Sequence, residues 1–357
     1  MRRETKKIQV GDLVIGGGAP ISVQSMTTTD TRLWQETGRQ IKRLAEAGCE
    51  LVRLAVPDSE AAAALHKICA ASPIPVAADI HFDWRLALLA LEAGVQKLRI
   101  NPGNIGDAQR LRQVVLAAKD RAVPIRIGVN AGSLEKKYLE KYGRPTAAGM
   151  VESALEKVRQ LEELDFEEIV ISLKASQVPL TIEAYRLMAQ KTRYPLHLGV
   201  TEAGTPYSGA IRSAVGIGTL LAEGIGDTLR VSLTAEPEAE VRAGYEILKS
   251  LKLRQRGPEL ISCPTCGRCQ LDLLNLAREV EERLCQVKLP LKIAVMGCAV
   301  NGPGEATEAD VGIAGGKGKG LLFRKGKVVA TVPEAELVAA LFREIAKLEE
   351  CEDNEDE

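Results

Sequence analysis

Between residues 20 and 251, short runs rich in β-branched and other apolar residues alternate with amphipathic stretches eight times over. The strand candidates are Pro20–Thr27, Glu50–Val56, Pro75–His81, Lys97–Asn101, Pro124–Asn130, Glu168–Lys174, Leu196–Glu202 and Thr228–Thr234. Helices are expected near 35–47, 59–71, 84–93, 107–121, 147–164, 180–191, 209–222 and 237–251, where apolar residues recur at helical spacing, as at Ile41, Leu44 and Ala45. A strand followed by a helix must cross over before the next strand can pair, so the strands run parallel. Eight such units in a chain of this length close into an α/β fold of the (β/α)8 (TIM) barrel type rather than an open sheet. Gly48 and Gly94 stand where helix ends favour left-handed backbone. The segment Ile8–Ile15, followed by Gly16, Gly17 and Gly18, reads as a hairpin over the barrel floor.

The polar stretch Lys252–Gly257 and Pro258 marks a boundary after the eighth helix. Three regions are expected: a barrel over 1–255, a smaller α+β domain over 256–350, and an acidic, solvated tail over 351–357. The second domain should contain a helix at 270–285, a strand at 291–297 and a terminal helix at 333–349. The run Gly315–Gly320 does not fit the spacing of a phosphate loop and reads as a hairpin turn. A formal net charge of −1 excludes a globally basic nucleic-acid binder. The longest apolar run, Leu86–Val95, is interrupted by Glu92 and is too short to span a bilayer. The basic N-terminus Met1–Lys7 lacks the apolar core of a signal peptide. A soluble, cytoplasmic chain without a nucleic-acid or membrane partner is the expectation.

In parallel barrels the active site forms at the carboxyl ends of the strands. Those ends carry Gln24 and Ser25; Arg53; Asp79 and His81; Arg99 and Asn101; Arg126 and Asn130; Lys174; Glu202; and Arg230 and Ser232. Asp79/His81, Arg99/Asn101 and Arg230/Ser232 are each two apart and therefore share a face, while Ile80, Ile100 and Val231 between them suit the helix-facing layer. Arg53, Arg99, Arg126, Lys174 and Arg230, from five strands, would repel one another unless an anion sat among them. Asp79 and Glu202 are too few to balance them. Guanidinium forks match phosphate oxygens, so the expected ligand carries at least two phosphate-level charges. Glu202 is a candidate general acid/base and His81 a second candidate or a positioner. His66 and His197 have no comparable context.

The eight cysteines do not form a disulfide framework in a chain this long. Cys49 and Cys69 lie in apolar helix-and-strand context, Cys285 in an amphipathic helix and Cys351 in the tail. Cys263, Cys266, Cys269 and Cys298 remain, and their spacing alone reads as a four-thiolate iron–sulfur site. Zinc competes, although no second Cys-x-x-Cys pair or nearby histidine accompanies them. A cluster that binds substrate needs a weaker or absent fourth ligand, and Glu305, in the Gly-Pro-Gly loop after Cys298, is a hard, exchangeable donor.

The segments Ser262–Arg268 and Val295–Glu305 resemble the signature segments of the 4-hydroxy-3-methylbut-2-en-1-yl diphosphate synthase family of isoprenoid biosynthesis (the methylerythritol phosphate route). The resemblance extends through Val23–Thr27, Val52–Pro57, Ala78–Phe82, Leu98–Asn104, Ile125–Ser133, Leu198–Gly204 and Leu229–Thr234, nearly the whole chain. It implies a 4Fe-4S cluster held by Cys263, Cys266, Cys298 and Glu305, which leaves Cys269 outside the ligand set, contrary to the spacing. It further implies diphosphate binding by Arg53, Arg99, Arg126, Lys174 and Arg230, with Asn101, Asn130 and Ser232 assisting. Asp79 and His81 belong to the same substrate site, Glu202 to acid/base work, and Asn301 lies near the cluster. The implied reaction is the two-electron reductive opening of 2-C-methyl-D-erythritol 2,4-cyclodiphosphate, with ferredoxin or flavodoxin as electron donor. The chain is similar to the compact two-domain form.

An eighth helix that returns to the barrel floor starts the second domain far from its own barrel mouth. A head-to-tail homodimer with active sites formed in trans is therefore expected, as the resemblance also implies. Two other classes stand beside this reading: a cluster hydro-lyase on a phosphorylated acid, needing no reductant, and a colourless zinc-binding scaffold.

Overall fold

The computed structural model describes residues 2–101, 105, 107–298, 307–316 and 318–353. The chain divides into two units, Met1–Arg254 and Gln255–Glu357. In the first, a hairpin of β1 (Ile8–Val10) and β2 (Leu13–Ile15) precedes the alternating elements. These are β3 (Ser22–Met26), α1 (Trp34–Ala47), β4 (Leu51–Ala55), α2 (Ser59–Ala71), β5 (Val76–Ile80), α3 (Trp84–Glu92), β6 (Lys97–Ile100) and α4 (Ala108–Asp120). They continue as β7 (Ile125–Asn130), α5 (Lys136–Tyr142), α6 (Ala147–Glu162), β8 (Ile169–Lys174), α7 (Val178–Lys191), β9 (His197–Leu198), α8 (Pro206–Ala222), β10 (Thr228–Leu229) and α9 (Pro237–Ser250).

The eight strands β3–β10 are all parallel, each beside its neighbour in sequence, with β10 returning to β3. The seam between β8 and β9 is closed by one bridge, Ile171 to Leu196, and by the Ile171 N–H donating to the Pro195 carbonyl. This is the barrel expected from the eightfold alternation. β9 and β10 are shorter than the expected Leu196–Glu202 and Thr228–Thr234, because Gly199 and the residues after Leu229 leave the ladder. The short α5, between β7 and α6, is an element that the periodicity does not announce.

Helix starts follow local chemistry. Asp58, Asp83 and Asp107 accept backbone N–H groups at the heads of α2, α3 and α4, and α7, α8 and α9 carry proline in their first turn. The apolar core lies between strands and helices, where Ile80, Ile100 and Val231 are fully buried. Ile8, Val10 and Ile15 of the hairpin pack with Leu51, Ala77 and Val170 and seal the amino-terminal end of the barrel.

The second unit is a five-stranded sheet, β11 (Glu259–Ser262), β12 (Lys292–Met296), β13 (Val311–Gly315), β14 (Lys319–Arg324) and β15 (Lys327–Pro333). β11, β12 and β13 are parallel, and β14 and β15 complete an antiparallel meander. α10 (Leu273–Leu284) and α11 (Leu337–Asp353) cover it through Val280, Leu284, Leu341 and Ile345. The glycine run forms a hairpin turn, with Gly315 opposite Gly320 and Gly318 at φ +66°. α11 continues to Asp353, so the tail read as beginning at 351 starts inside a helix.

Candidate active site

The barrel interior is polar almost throughout. Ser22, Gln24, Asp79, Lys97, Arg99, Arg126, Ser172, Lys174, His197 and Thr228 are all buried. Register explains the concentration: Asp79 pairs with Arg99, Arg99 with Arg126, and Asn130 with Lys174. With a period of two, Lys97, Arg99 and Asn101 share the inward face of β6, as Arg126, Gly128 and Asn130 share that of β7.

Two carboxylates organise part of this charge. Asp79 accepts from Arg99 Nη1 at 2.8 Å and faces Arg53 Nε at 3.3 Å and His81 Nε2 at 3.5 Å. Burial alone would raise its pKa, but Arg53, His81, Arg99 and Arg126 together hold the carboxyl well below the usual carboxylate range. Glu240, in the first turn of α9, holds Arg230 side-on: Nε to Oε2 and Nη2 to Oε1, both 3.2 Å. Met26 Sδ lies 2.9 Å from Arg53 Nη2 and 3.7 Å from Arg230 Nη1, a soft acceptor between two guanidinium groups. Glu240, not Glu202, is the second counter-charge. Glu202 is exposed, with left-handed backbone at φ +55°, a strained geometry for a residue with a β-carbon.

Lys97, Arg126 and Lys174 have no carboxylate partner among the described residues. Arg126 Nε and Nη1, Arg99 Nε and Lys97 Nζ are buried without a hydrogen-bond partner among the described residues. Lys174 Nζ meets a neutral base, His197 Nε2, at 3.4 Å. Burial, then Arg53 and Arg99, pushes Arg126 well below its ordinary pKa, and burial, then Arg126, does the same to Lys97 and Lys174. Arg53 falls to about 10, through burial and against the pull of Asp79. His197 is held neutral by burial and by Lys174. Positive charge is thus gathered out of water with too little negative charge to match it, as in a site built to receive a multiply charged anion.

The structure brings together Arg53, Asp79, Arg99, Arg126, Lys174 and Arg230 from the sequence-derived set, with the His81 side chain half exposed at 55% beside Asp79. Asn101, Asn130 and Ser232 are partly buried at the same strand ends. Lys97, His197, Glu240 and Met26 were not anticipated. His197, read as having no site context, lies inside the barrel beside Lys174. The signal for Lys97 and His197 was parity, since they stand two residues before Arg99 and Gly199.

In the second unit, Cys263 follows β11 and Cys298 follows the adjacent parallel strand β12, so both leave the sheet at its carboxyl edge. Gly297 N–H donates to Cys263 Sγ at 3.1 Å. Cys266 is exposed, and Cys263, Cys266 and Cys298 are free thiols. Cys269 differs: its Sγ donates to its own Leu271 carbonyl at 3.3 Å, and a β-carbon on Gly297 would lie 2.8 Å from that sulfur. Cys263, Cys266, Cys269 and Cys298 offer soft sulfur donors of the kind that suits an iron–sulfur group. Among the described residues, no group of three His, Cys, Asp or Glu donors comes together as a metal site. Glu305 and Asn301 lie outside the described residues. Cys49 and Cys69 are core thiols, each pushed up to about 12 by burial.

Two family models match the chain: the GcpE TIM-barrel domain over residues 5–245 and the GcpE protein C-terminal domain over 259–347. A Geobacter sulfurreducens protein named 4-hydroxy-3-methylbut-2-en-1-yl diphosphate synthase (flavodoxin) is 63% identical over 348 residues, covering 98% of this chain and 99% of its own. A protein of the same name from Symbiobacterium thermophilum is 62% identical over 340 residues, covering 95% and 92%. Among solved structures, dihydropteroate synthase from Stenotrophomonas maltophilia superposes with a TM-score of 0.51 at 12% identity, over 70% of this chain and 97% of that one. N-acetylneuraminic acid synthetase from Leptospira borgpetersenii gives 0.51 at 13% identity, over 79% and 98%. At those identities the likeness is one of fold. The relatives at about three-fifths identity and the two matched domains lead further: the chain belongs to the GcpE family.

Proposed function

We propose that this protein reduces 2-C-methyl-D-erythritol 2,4-cyclodiphosphate to (E)-4-hydroxy-3-methylbut-2-enyl diphosphate, taking up two electrons and two protons and releasing water. Flavodoxin is the electron donor that the relatives' names point to, with ferredoxin as the alternative. The observation that carries the reading is the carboxylate-poor ring of buried cations inside the barrel, which suits a multiply charged anion such as a cyclic diphosphate.

Arg126 and Lys174, cations without a carboxylate partner among the described residues, hold the phosphate oxygens. Arg53 and Arg99, oriented by Asp79, and Arg230, oriented by Glu240, close the ring around them. As the ring opens, charge grows on the leaving phosphate oxygen, and a preorganised cation opposite it lowers the barrier. Asn101, Asn130 and Ser232 supply neutral hydrogen bonds at the rim. Glu202, exposed and strained, gives the departing hydroxyl its proton, and His81 positions the substrate. Cys263, Cys266 and Cys298, with Glu305 as the exchangeable fourth ligand, would hold a 4Fe-4S cluster, which when bound supplies electrons one at a time.

A homodimer with sites formed in trans is part of the same reading. It is supported by the exit of the chain from the barrel, where Arg254 bonds the Ile21 carbonyl at 2.8 Å and Glu50 at 2.7 Å, both at amino-terminal strand ends. Mixing inactive Arg230→Ala and Cys298→Ser proteins should restore part of the activity if sites are shared between copies. A cytoplasmic location belongs to the same reading; among the described residues no helix is long and apolar enough to cross a membrane.

The test is anaerobic turnover by protein reconstituted with iron and sulfide. Product that forms only with reduced flavodoxin or ferredoxin supports the reading. Product without reductant favours the hydro-lyase, and none from fully loaded protein contradicts both.

A further inference from the structure

We infer that Glu240 is a positioning residue for anion recognition, acting through Arg230; the inference rests on the reading of the barrel as a diphosphate site. Glu240 is 4% exposed on a helix outside the strand ring, yet all its contacts point inward. One oxygen takes Arg230 Nη2 at 3.2 Å and the Leu233 N–H at 3.0 Å; the other takes Arg230 Nε at 3.2 Å and the Ser25 hydroxyl at 3.0 Å. The carboxylate thus ties β3, the segment after β10 and α9 to one guanidinium.

This use of both oxygens fixes more than charge. A side-on carboxylate occupies Nε and Nη2 of Arg230 and leaves Nη1 facing Met26 Sδ, 3.7 Å away, where a thioether is a weak competitor for an incoming oxygen. Arg230 is therefore presented to a ligand in one orientation, with its side-chain entropy already lost. Arg53, which shares Met26 through Nη2 at 2.9 Å, meets Asp79 through Nε alone, at 3.3 Å. The ring consists of three arginines held by carboxylates, Arg53, Arg99 and Arg230, and three cations without one among the described residues, Lys97, Arg126 and Lys174.

Two roles for Glu240 make opposite demands. If it only balances charge, removing its negative charge makes the pocket more positive and an anion binds more tightly. If it positions Arg230, removing or shortening it releases the guanidinium and binding weakens, although the field has grown. Misplacement of one contact group by ~1 Å costs on the order of 100-fold in the most demanding sites.

The experiment uses the full chain with inorganic pyrophosphate as probe, read by calorimetry, so that it is independent of cluster loading and turnover. Glu240→Gln and Glu240→Asp are each expected to weaken pyrophosphate binding by roughly 10-fold or more. In an Arg230→Met background, the same changes should add less than about threefold, because the path to the ligand is already cut. Tighter binding by Glu240→Gln with unaltered binding by Glu240→Asp would overturn the inference in favour of charge balance. Equal losses with and without Arg230 would overturn it in favour of a general structural role. Should Glu240→Gln fail to fold, Glu240→Asp alone separates the outcomes, since it keeps the charge and loses the reach. Wild-type protein that binds neither pyrophosphate nor the cyclodiphosphate would sink the diphosphate reading itself, a different failure from unaltered binding in the variants.

Discussion

Arg99 and Arg126 stand opposite each other in register on β6 and β7, and only Arg99 has a carboxylate, Asp79 at 2.8 Å, while Arg126 Nε and Nη1 have no partner among the described residues. One of two adjacent guanidinium groups is thus neutralised and the other held ready. Without ligand, Arg126 costs stability, because a buried unpaired charge beside like charges is unfavourable. Arg126→Met should therefore make the unliganded protein more stable, by about 1–4 kcal/mol. Chemical denaturation of both proteins in low-phosphate buffer checks the sign; a loss of stability would mean that Arg126 is paired in solution.

His197 gives the fold a pH signature. It is buried and neutral, with its pKa far below the unfolded value near 6.5. The unfolded chain takes up this proton first, so stability falls as pH drops below about 6.5, by up to ~1.4 kcal/mol per pH unit. Asp79 acts at lower pH: its depressed pKa adds stability that is lost only below the ordinary carboxylate value of 3.8. His197→Gln should flatten the slope of unfolding free energy between about pH 5 and 6.5 by close to one proton's worth.

Gly199 makes room for the catalytic face. A β-carbon there would lie 2.7 Å from Lys174 Nζ and 2.8 Å from the Arg230 carbonyl oxygen. The lysine end can move, but the backbone oxygen cannot move without β10. Gly199→Ala is expected to cost about 1–3 kcal/mol of stability and to weaken pyrophosphate binding by displacing Lys174. A thermal shift assay with and without pyrophosphate reads both effects.

The cysteines should separate cleanly. Cys269→Ala should retain iron, sulfide and visible absorption after anaerobic reconstitution, because that sulfur is bonded to the Leu271 carbonyl and packed on Gly297. Cys263→Ala, Cys266→Ala and Cys298→Ala should each lose most of the iron. Loss of iron from Cys269→Ala together with its retention in Cys298→Ala would reverse the ligand assignment.

Much of this site was legible because a barrel strand end is a local feature. Arg53, Asp79, Arg99, Arg126, Lys174 and Arg230 each follow a short apolar run at the parity that turns them inward. Lys97 and His197 are not legible in the same way because they lie deeper, two residues before Arg99 and Gly199, where interiors are ordinarily apolar. Glu240 escaped for another reason. In Pro237–Glu240 it looks like an acid in a helix's first turn, where solvated carboxylates are common, and only the packing of α9 on β3 turns it inward. The cysteine spacing alone would enlist Cys269; its bond to Leu271 is set by how the loop folds back, which spacing does not encode.

The account stands or falls on whether the barrel cations receive a diphosphate. Calorimetric titration of the wild-type protein with the cyclodiphosphate measures that directly. The wild-type protein should bind, and Arg126→Met should weaken the affinity by roughly 10-fold or more, the worth of a charge-assisted hydrogen bond. Absence of binding, or equal affinity in Arg126→Met, would contradict it.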